Sequence, residues 1–218
     1  MPLNLLSTGG GAITLRSSNT GTNYTHTHPA ETGTVITSGA STRLIPAAAM
    51  PVGSVIQTQY VSSGTRTTVD STSFVEPSSA YRVSITPTSS TSIIKLTYYI
   101  MMNPGGSYAS NTIFNVRAFR IISGSTTYSL TSTGNTNGSR SVFAGAAFRP
   151  EGYDANDAIP LHMTVIDNPG TTSTCTYGFE YKRETGGTGV MYFGYSAGDN
   201  GNWGWDTDIV IVAEEIAQ

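Results

Sequence analysis

Apolar and polar residues alternate over residues 54–61 and again over 81–87. A two-residue period buries one face of a β-strand and leaves the other in water. Residues 93–102 form a longer and more apolar run, which predicts a central strand covered on both sides. Strict alternation returns over 112–121. Further strands are expected at 126–130, 141–148, 159–166, 174–182, 189–195 and 208–212. Turn residues punctuate them at Pro104-Gly105-Gly106, Asn137-Gly138, Asn168-Pro169-Gly170, Gly186-Gly187 and Asn200-Gly201. No segment carries the period of an amphipathic helix, and no fixed-length repeat is present. About ten short strands in this arrangement predict an all-β fold, an antiparallel two-sheet jelly-roll sandwich.

Ahead of this body the text changes. Residues 12–16 and 32–36 read as two short extended pieces, joined by a polar loop in which Gly21 supplies a turn. Such a segment cannot close a core alone. Small residues fill 38–50, and Ala47-Ala48-Ala49-Met50 is compatible with one helical turn that Pro51 would end. The expected organisation is an extended N-terminal arm over residues 1–50 and a β-sandwich head over 51–218. A chain of 218 residues accommodates this, since one β-domain of ~150–170 residues buries a core without metal or disulfide staples. The start, Met1-Pro2-Leu3-Asn4-Leu5-Leu6, lacks the basic and long apolar stretches of a signal peptide. No stretch is apolar enough to span a membrane as a helix. The expectation is synthesis in a cytoplasm, with export by some route other than secretion.

Composition reinforces the strand reading. Ser and Thr make up 59 residues, only 11% of the chain is charged, and the lysines are Lys95 and Lys182 alone. Such a chain is poor in strong helix formers and rich in residues suited to a pleated surface. A net charge of −3 with a pI near 5.5 supplies no basic patch for phosphate backbones or acidic membrane surfaces, so neither nucleic acid nor membrane insertion is expected. Cys175 is the single cysteine, which excludes an internal disulfide and a cysteine-based metal site. It reads as a small, half-buried apolar residue rather than a catalytic thiol.

Three groups of residues carry candidate chemistry. His26 and His28 are two apart, so on an extended strand both side chains leave the same face. Three chains around an axis would bring six imidazoles together, a donor set suited to iron, nickel or zinc; the plain alternative is a surface pair on the arm. The second group lies in residues 195–206, where Tyr195, Asp199, Asn202, Trp203 and Trp205 share one glycine-rich loop. Indole faces stack on sugars while carboxylates and amides bridge hydroxyls, so the loop is a candidate glycan reader. Alternatively Trp203 and Trp205 plug a sandwich end or a subunit seam. Third, Glu151, Asp154 and Asp157 offer the carboxylates a glycosidase requires, or a calcium site, although their spacing is not that of an EF-hand. His162 stands alone on a strand. With no nucleophile elbow, phosphate loop or His-Glu-x-x-His pattern, an enzyme is not expected. Arg66, Arg82, Arg117, Arg120 and Arg140 are scattered and read as solvated or subunit-bridging, with Arg117 and Arg120 on opposite strand faces.

The arm, Gly9-Gly10-Gly11-Ala12-Ile13-Thr14-Leu15 followed by Asn23-Tyr24-Thr25-His26-Thr27-His28-Pro29-Ala30-Glu31-Thr32-Gly33-Thr34-Val35-Ile36, resembles a segment of bacteriophage fibre and virion structural proteins. The body is similar to a domain of tailed phages, through Pro51-Val52-Gly53-Ser54-Val55-Ile56-Gln57 and residues 84–96. His26 and His28 stand where many relatives carry leucines. The resemblance implies a homotrimeric virion protein with a tumour-necrosis-factor-like head, attached to other virion proteins through residues 1–50 and exposed on the particle. Two roles follow from it: a tail-fibre or adhesin module for host adsorption, or a capsid decoration protein whose arm lies on the capsid lattice. The absence of heptads or a repeat shaft counts towards decoration, and the aromatic loop towards adsorption. A tailspike glycosidase is the third class.

Overall fold

The computed structural model describes residues 3–6, 12–15, 50–105, 113–128, 130, 145–149, 154–184, 189–199 and 204–218. The chain divides into two compact units, Met1–Leu44 and Ile45–Gln218. In the first, β1 (Leu3–Leu6) pairs antiparallel with β2 (Ala12–Leu15), Leu3 opposite Leu15 and Leu6 opposite Ala12. The extended piece expected from residue 12 is therefore a strand. The extended piece expected at 32–36 lies outside the described residues, as do His26, His28 and, except for Met50, the helical turn expected at 47–50.

The second unit consists of two antiparallel sheets packed face to face. One sheet sets β3 (Val55–Ser63), β13 (Ile209–Ile216), β6 (Ile93–Asn103) and β10 (Ile159–Asp167) side by side. At the far end of β6, β12 (Met191–Phe193) and β4 (Thr67–Val69) take the places of β13 and β3. The other sheet runs β5 (Val83–Ile85), β11 (Cys175–Arg183) and β7 (Phe114–Ile122), with β8 (Ser125–Thr127) and β9 (Gly145–Phe148) both paired to the far edge of β7. Along the sequence the chain alternates between the sheets: β3 and β4 in the first, β5 in the second, β6 in the first, β7 to β9 in the second, and so on to β13. This is the jelly-roll sandwich the periodicity predicts. The described residues contain no α-helix, only a 3-10 turn at Ser79–Tyr81.

Alternation determines what fills the space between the sheets. Ile94, Leu96, Tyr98, Ile100 and Met102 of β6 are all buried, and they face Phe114, Val116 and Ala118 of β7 with Tyr177, Phe179 and Tyr181 of β11. Aromatic rings make up much of this layer. Phe114 stacks on Tyr181 at 5.8 Å, and Tyr181 meets Phe193 edge-on at 5.5 Å. Burial of each large apolar side chain contributes about 1.5–3 kcal/mol before chain entropy is subtracted.

Several expectations require correction. Among the described residues β6 is covered on one face only: Ile93, Lys95, Thr97, Tyr99 and Met101 point away from the second sheet, and Tyr99 is 44% exposed. It is central because strands flank both its edges, which a hydropathy run cannot distinguish from coverage of both faces. Cys175 is fully buried rather than half-buried. The strand β4 was not anticipated, because Thr67-Thr68-Val69 is too short to show a period. The arginines expected to be solvated differ among themselves: Arg66 is 46% exposed, whereas Arg117 and Arg120 are largely buried. Arg82 pairs with Glu76 at 2.6 Å, Arg117 with Glu180 at 2.6 Å, and Arg120 with Asp167 at 2.7 Å, all within the chain. Arg117 and Arg120 do face opposite sides of β7, Arg120 towards the core. Arg140 lies outside the described residues.

Candidate functional site

The cluster with the most concentrated chemistry lies where β6 ends. Asn103 closes that strand and is fully buried. Its Nδ2 donates to the carbonyls of Asp154 at 3.0 Å and Asp157 at 2.5 Å, and its Oδ1 accepts from the amides of Gly105 at 2.7 Å and Ala197 at 3.3 Å. One carboxamide thus ties together three loops with all its hydrogen-bonding capacity used. Sequence reasoning passed over Asn103; its one signal was an amide placed directly before the Pro104-Gly105 turn.

The described ends of the loop from Tyr195 to Asp206 are closed against each other. Tyr195 and Asp206 form an antiparallel bridge. The Ser196 amide donates to the Trp205 carbonyl at 3.0 Å, and the buried Ser196 hydroxyl accepts from the Trp205 amide at 3.1 Å. Gly204 has φ +125°, and a Cβ there would meet Ser196 Oγ at 2.5 Å, so only glycine closes these ends this tightly. The Trp205 indole N–H donates to the Asn156 carbonyl at 3.0 Å, and the Gly198 amide to the Ala155 carbonyl at 2.8 Å. Trp205 therefore serves as a latch between two loops while remaining partly exposed.

Arg66, just before β4, organises the acidic side of the cluster. Its guanidinium lies 3.1 Å from Asp199, hydrogen-bonds both carboxylate oxygens of Asp206, and sits 5.2 Å from the centre of the Tyr195 ring. Tyr195 in turn meets Tyr192 edge-on at 5.3 Å. Burial holds the Tyr195 hydroxyl above its ordinary range. These ion pairs are largely exposed, so they contribute orientation more than stability.

Of the residues singled out for glycan contact, Tyr195, Asp199 and Trp205 are brought together here; Asn202 and Trp203 lie outside the described residues. Asp154 and Asp157 are spent on their own turn: the Asp157 carboxylate accepts from the Asp154 amide at 2.7 Å, and the Asp154 carboxylate from the Asn156 amide at 2.7 Å. Glu151 is outside the described residues. Among those described, no group of three or more His, Cys, Asp or Glu is placed to hold a metal ion. His162 stands apart on the outer face of the first sheet, edge-on to Tyr99 at 5.0 Å. No helix among the described residues is long and apolar enough to cross a membrane. No protein-family model matches this chain, and no curated protein matches it in sequence.

Proposed function

We propose that this chain is a non-enzymatic bacteriophage virion protein, displayed on the particle, whose sandwich is the head of a homotrimeric fibre or adhesin that meets a host surface glycan. One relation carries the reading. Val55 and Ile216, where the sandwich begins and ends, are paired to each other at the Ile93 end of β6, whereas the Tyr195, Asp199 and Trp205 cluster sits beyond Asn103 at the other end. The 11 residues of β6 separate the two ends by roughly 35 Å. A head tethered through its N-terminal side thus presents a rigid aromatic and carboxylate surface at its far tip.

The outer face of the first sheet supports self-association. Register sets Tyr60, Val212, Thr97 and Thr164 in one row and Ser62, Val210, Tyr99 and His162 in the next. Tyr60 is 72% exposed, Tyr99 44% and Ile166 42%. Lys95 and Glu214 on the same face neutralise each other at 2.8 Å, so a second copy meets no unbalanced charge there. Trimeric display makes individually weak sugar contacts collectively tight.

Capsid decoration remains the second reading, because the sequence carries no heptads and no repeat shaft. Native mass measurement is expected to give three copies, and immobilised bacterial surface polysaccharide is expected to retain the protein but not its Trp205→Ala variant. A monomeric mass with no retention overturns the proposal. Hundreds of copies per virion would favour decoration, and release of oligosaccharide would indicate a glycosidase instead.

A further inference from the structure

The outer face of the second sheet carries a constellation that the proposed function does not use. Antiparallel register places Lys182 of β11 directly opposite Asn115 of β7, so their side chains leave the same face as neighbours. Asn115 is only 6% exposed, although it points away from the core. Glu184, just past β11, joins the two: its Oε1 accepts from Asn115 Nδ2 at 2.8 Å and pairs with Lys182 Nζ at 3.2 Å. Amine and carboxamide are therefore held against one oxygen, no farther apart than those two contacts together span. The Phe74 ring lies 5.1 Å from Lys182 Nζ, with the Arg117 guanidinium also against it at 3.9 Å. The other lysine of the chain, Lys95, pairs with Glu214 and, among the described residues, has no carboxamide opposite it in the register.

We infer that Lys182 and Asn115 form an intramolecular isopeptide bond, with Glu184 carrying the proton. A primary amine and a carboxamide that stand opposite each other in register and share one carboxylate oxygen have the components of an acyl transfer: nucleophile, electrophile and general base. Glu184 takes one proton from the Lys182 ammonium, and the freed Nζ attacks Asn115 Cγ. The new Cγ–Nζ bond forms as the Cγ–Nδ2 bond breaks. Glu184 returns that proton to the departing nitrogen and relays the second Nζ proton to it as well, so the nitrogen leaves as ammonium, the new amide is neutral and the carboxylate is regenerated. No oxidant or cofactor is consumed. Side chains held by a folded sheet react as if at very high concentration, which makes an otherwise slow transamidation accessible. The link would close a long loop between β7 and β11 in a chain whose single cysteine permits no disulfide, restricting the unfolded ensemble as a disulfide does.

Intact-mass spectrometry of the purified full chain, denatured, tests this directly. The expected mass is that of the sequence less one ammonia, with a branched proteolytic peptide joining the segment around Asn115 to that around Lys182. Lys182→Arg and Glu184→Gln proteins are expected to show the full sequence mass. Succinimide at Asn137-Gly138 or Asn200-Gly201 also loses ammonia, but it opens in mild base, whereas an isopeptide bond persists. A wild-type protein at full mass, or an ammonia loss reversed by base and without a branched peptide, overturns the inference. A Glu184→Gln protein that still carries the link overturns the role given to Glu184. None of these results depends on trimer formation or glycan binding.

Discussion

Arg120 reaches from β7 across the sandwich to Asp167 at the end of β10, its Nη1 lying 2.7 Å from both carboxylate oxygens. Asp167 is 2% exposed, and Tyr177 donates its hydroxyl to the same carboxylate at 2.8 Å. The pair joins the two sheets at a point where apolar packing would carry no directional information. Removing one partner leaves a desolvated charge behind, so Asp167→Ala is expected to cost about 3–5 kcal/mol in urea unfolding. Arg120→Met is expected to behave similarly. A double variant should be more stable than the sum of the two losses predicts, and strict additivity would show that the pair is not coupled.

Glu215 supplies a pH dependence. It is buried at the same end of the sandwich as Asp167, since both stand opposite Ile94 of β6, and it accepts from Gln57 at 2.6 Å and from the Thr88 amide and hydroxyl at 2.7 and 2.8 Å. Burial pushes its carboxyl up, yet the hydrogen bonds from Gln57 and Thr88 outweigh it and hold the pKa below the ordinary 4.5. Because the folded value lies below the unfolded one, this stabilisation is present above the ordinary Glu range and is lost as pH falls through the folded value. Urea midpoints are expected to drop on acidification through that range. The slope should be shallower in Glu215→Gln; an unchanged slope would rule out Glu215 as its source.

Gly178 is required by a ring. Phe119 lies across it on the outer face of the second sheet, and a Cβ at Gly178 would meet the Phe119 ring at 2.5 Å. Gly178→Ala is expected to cost about 1–3 kcal/mol through displacement of the ring. Adding Phe119→Leu should restore part of that loss in thermal unfolding, since the clash is with the ring edge.

Asn103 sets the order of the candidate contact surface. Replacing it with Leu removes four hydrogen bonds and leaves loop carbonyls and amides without their partner, an expected loss of about 1–3 kcal/mol for each group left buried and unsatisfied. Hydrogen exchange at the amides of Gly105 and Ala197 should accelerate more than at β6. Uniform acceleration would instead indicate global destabilisation.

Strand positions were legible because the sandwich buries one face of most strands, and the two-residue period records that burial directly. Residues 54–61, 93–102 and 159–166 fall within a few residues of β3, β6 and β10. The period is silent on what lies beyond each face, which is why β6 was expected to be covered twice although, among the described residues, its Tyr99 face is open. The site was less legible. The residues of 195–206 were identified by type, but the role of Trp205 as a latch depends on Asn156, 49 positions away in the chain. Arginine spacing likewise reveals strand parity and not partners: Arg120 meets Asp167 only because β7 and β10 belong to facing sheets.

The amino-acid sequence by itself determined that this chain forms strands and which face of most strands turns inward, since local alternation and a wealth of Ser and Thr act through backbone geometry and burial alone. Only the tertiary structure decided which residues meet. Asn103 joining three loops, Arg120 bridging the sheets, and Lys182 opposite Asn115 all depend on strand order and register, and those arise from long-range closure of two sheets around one core, a condition no local pattern encodes.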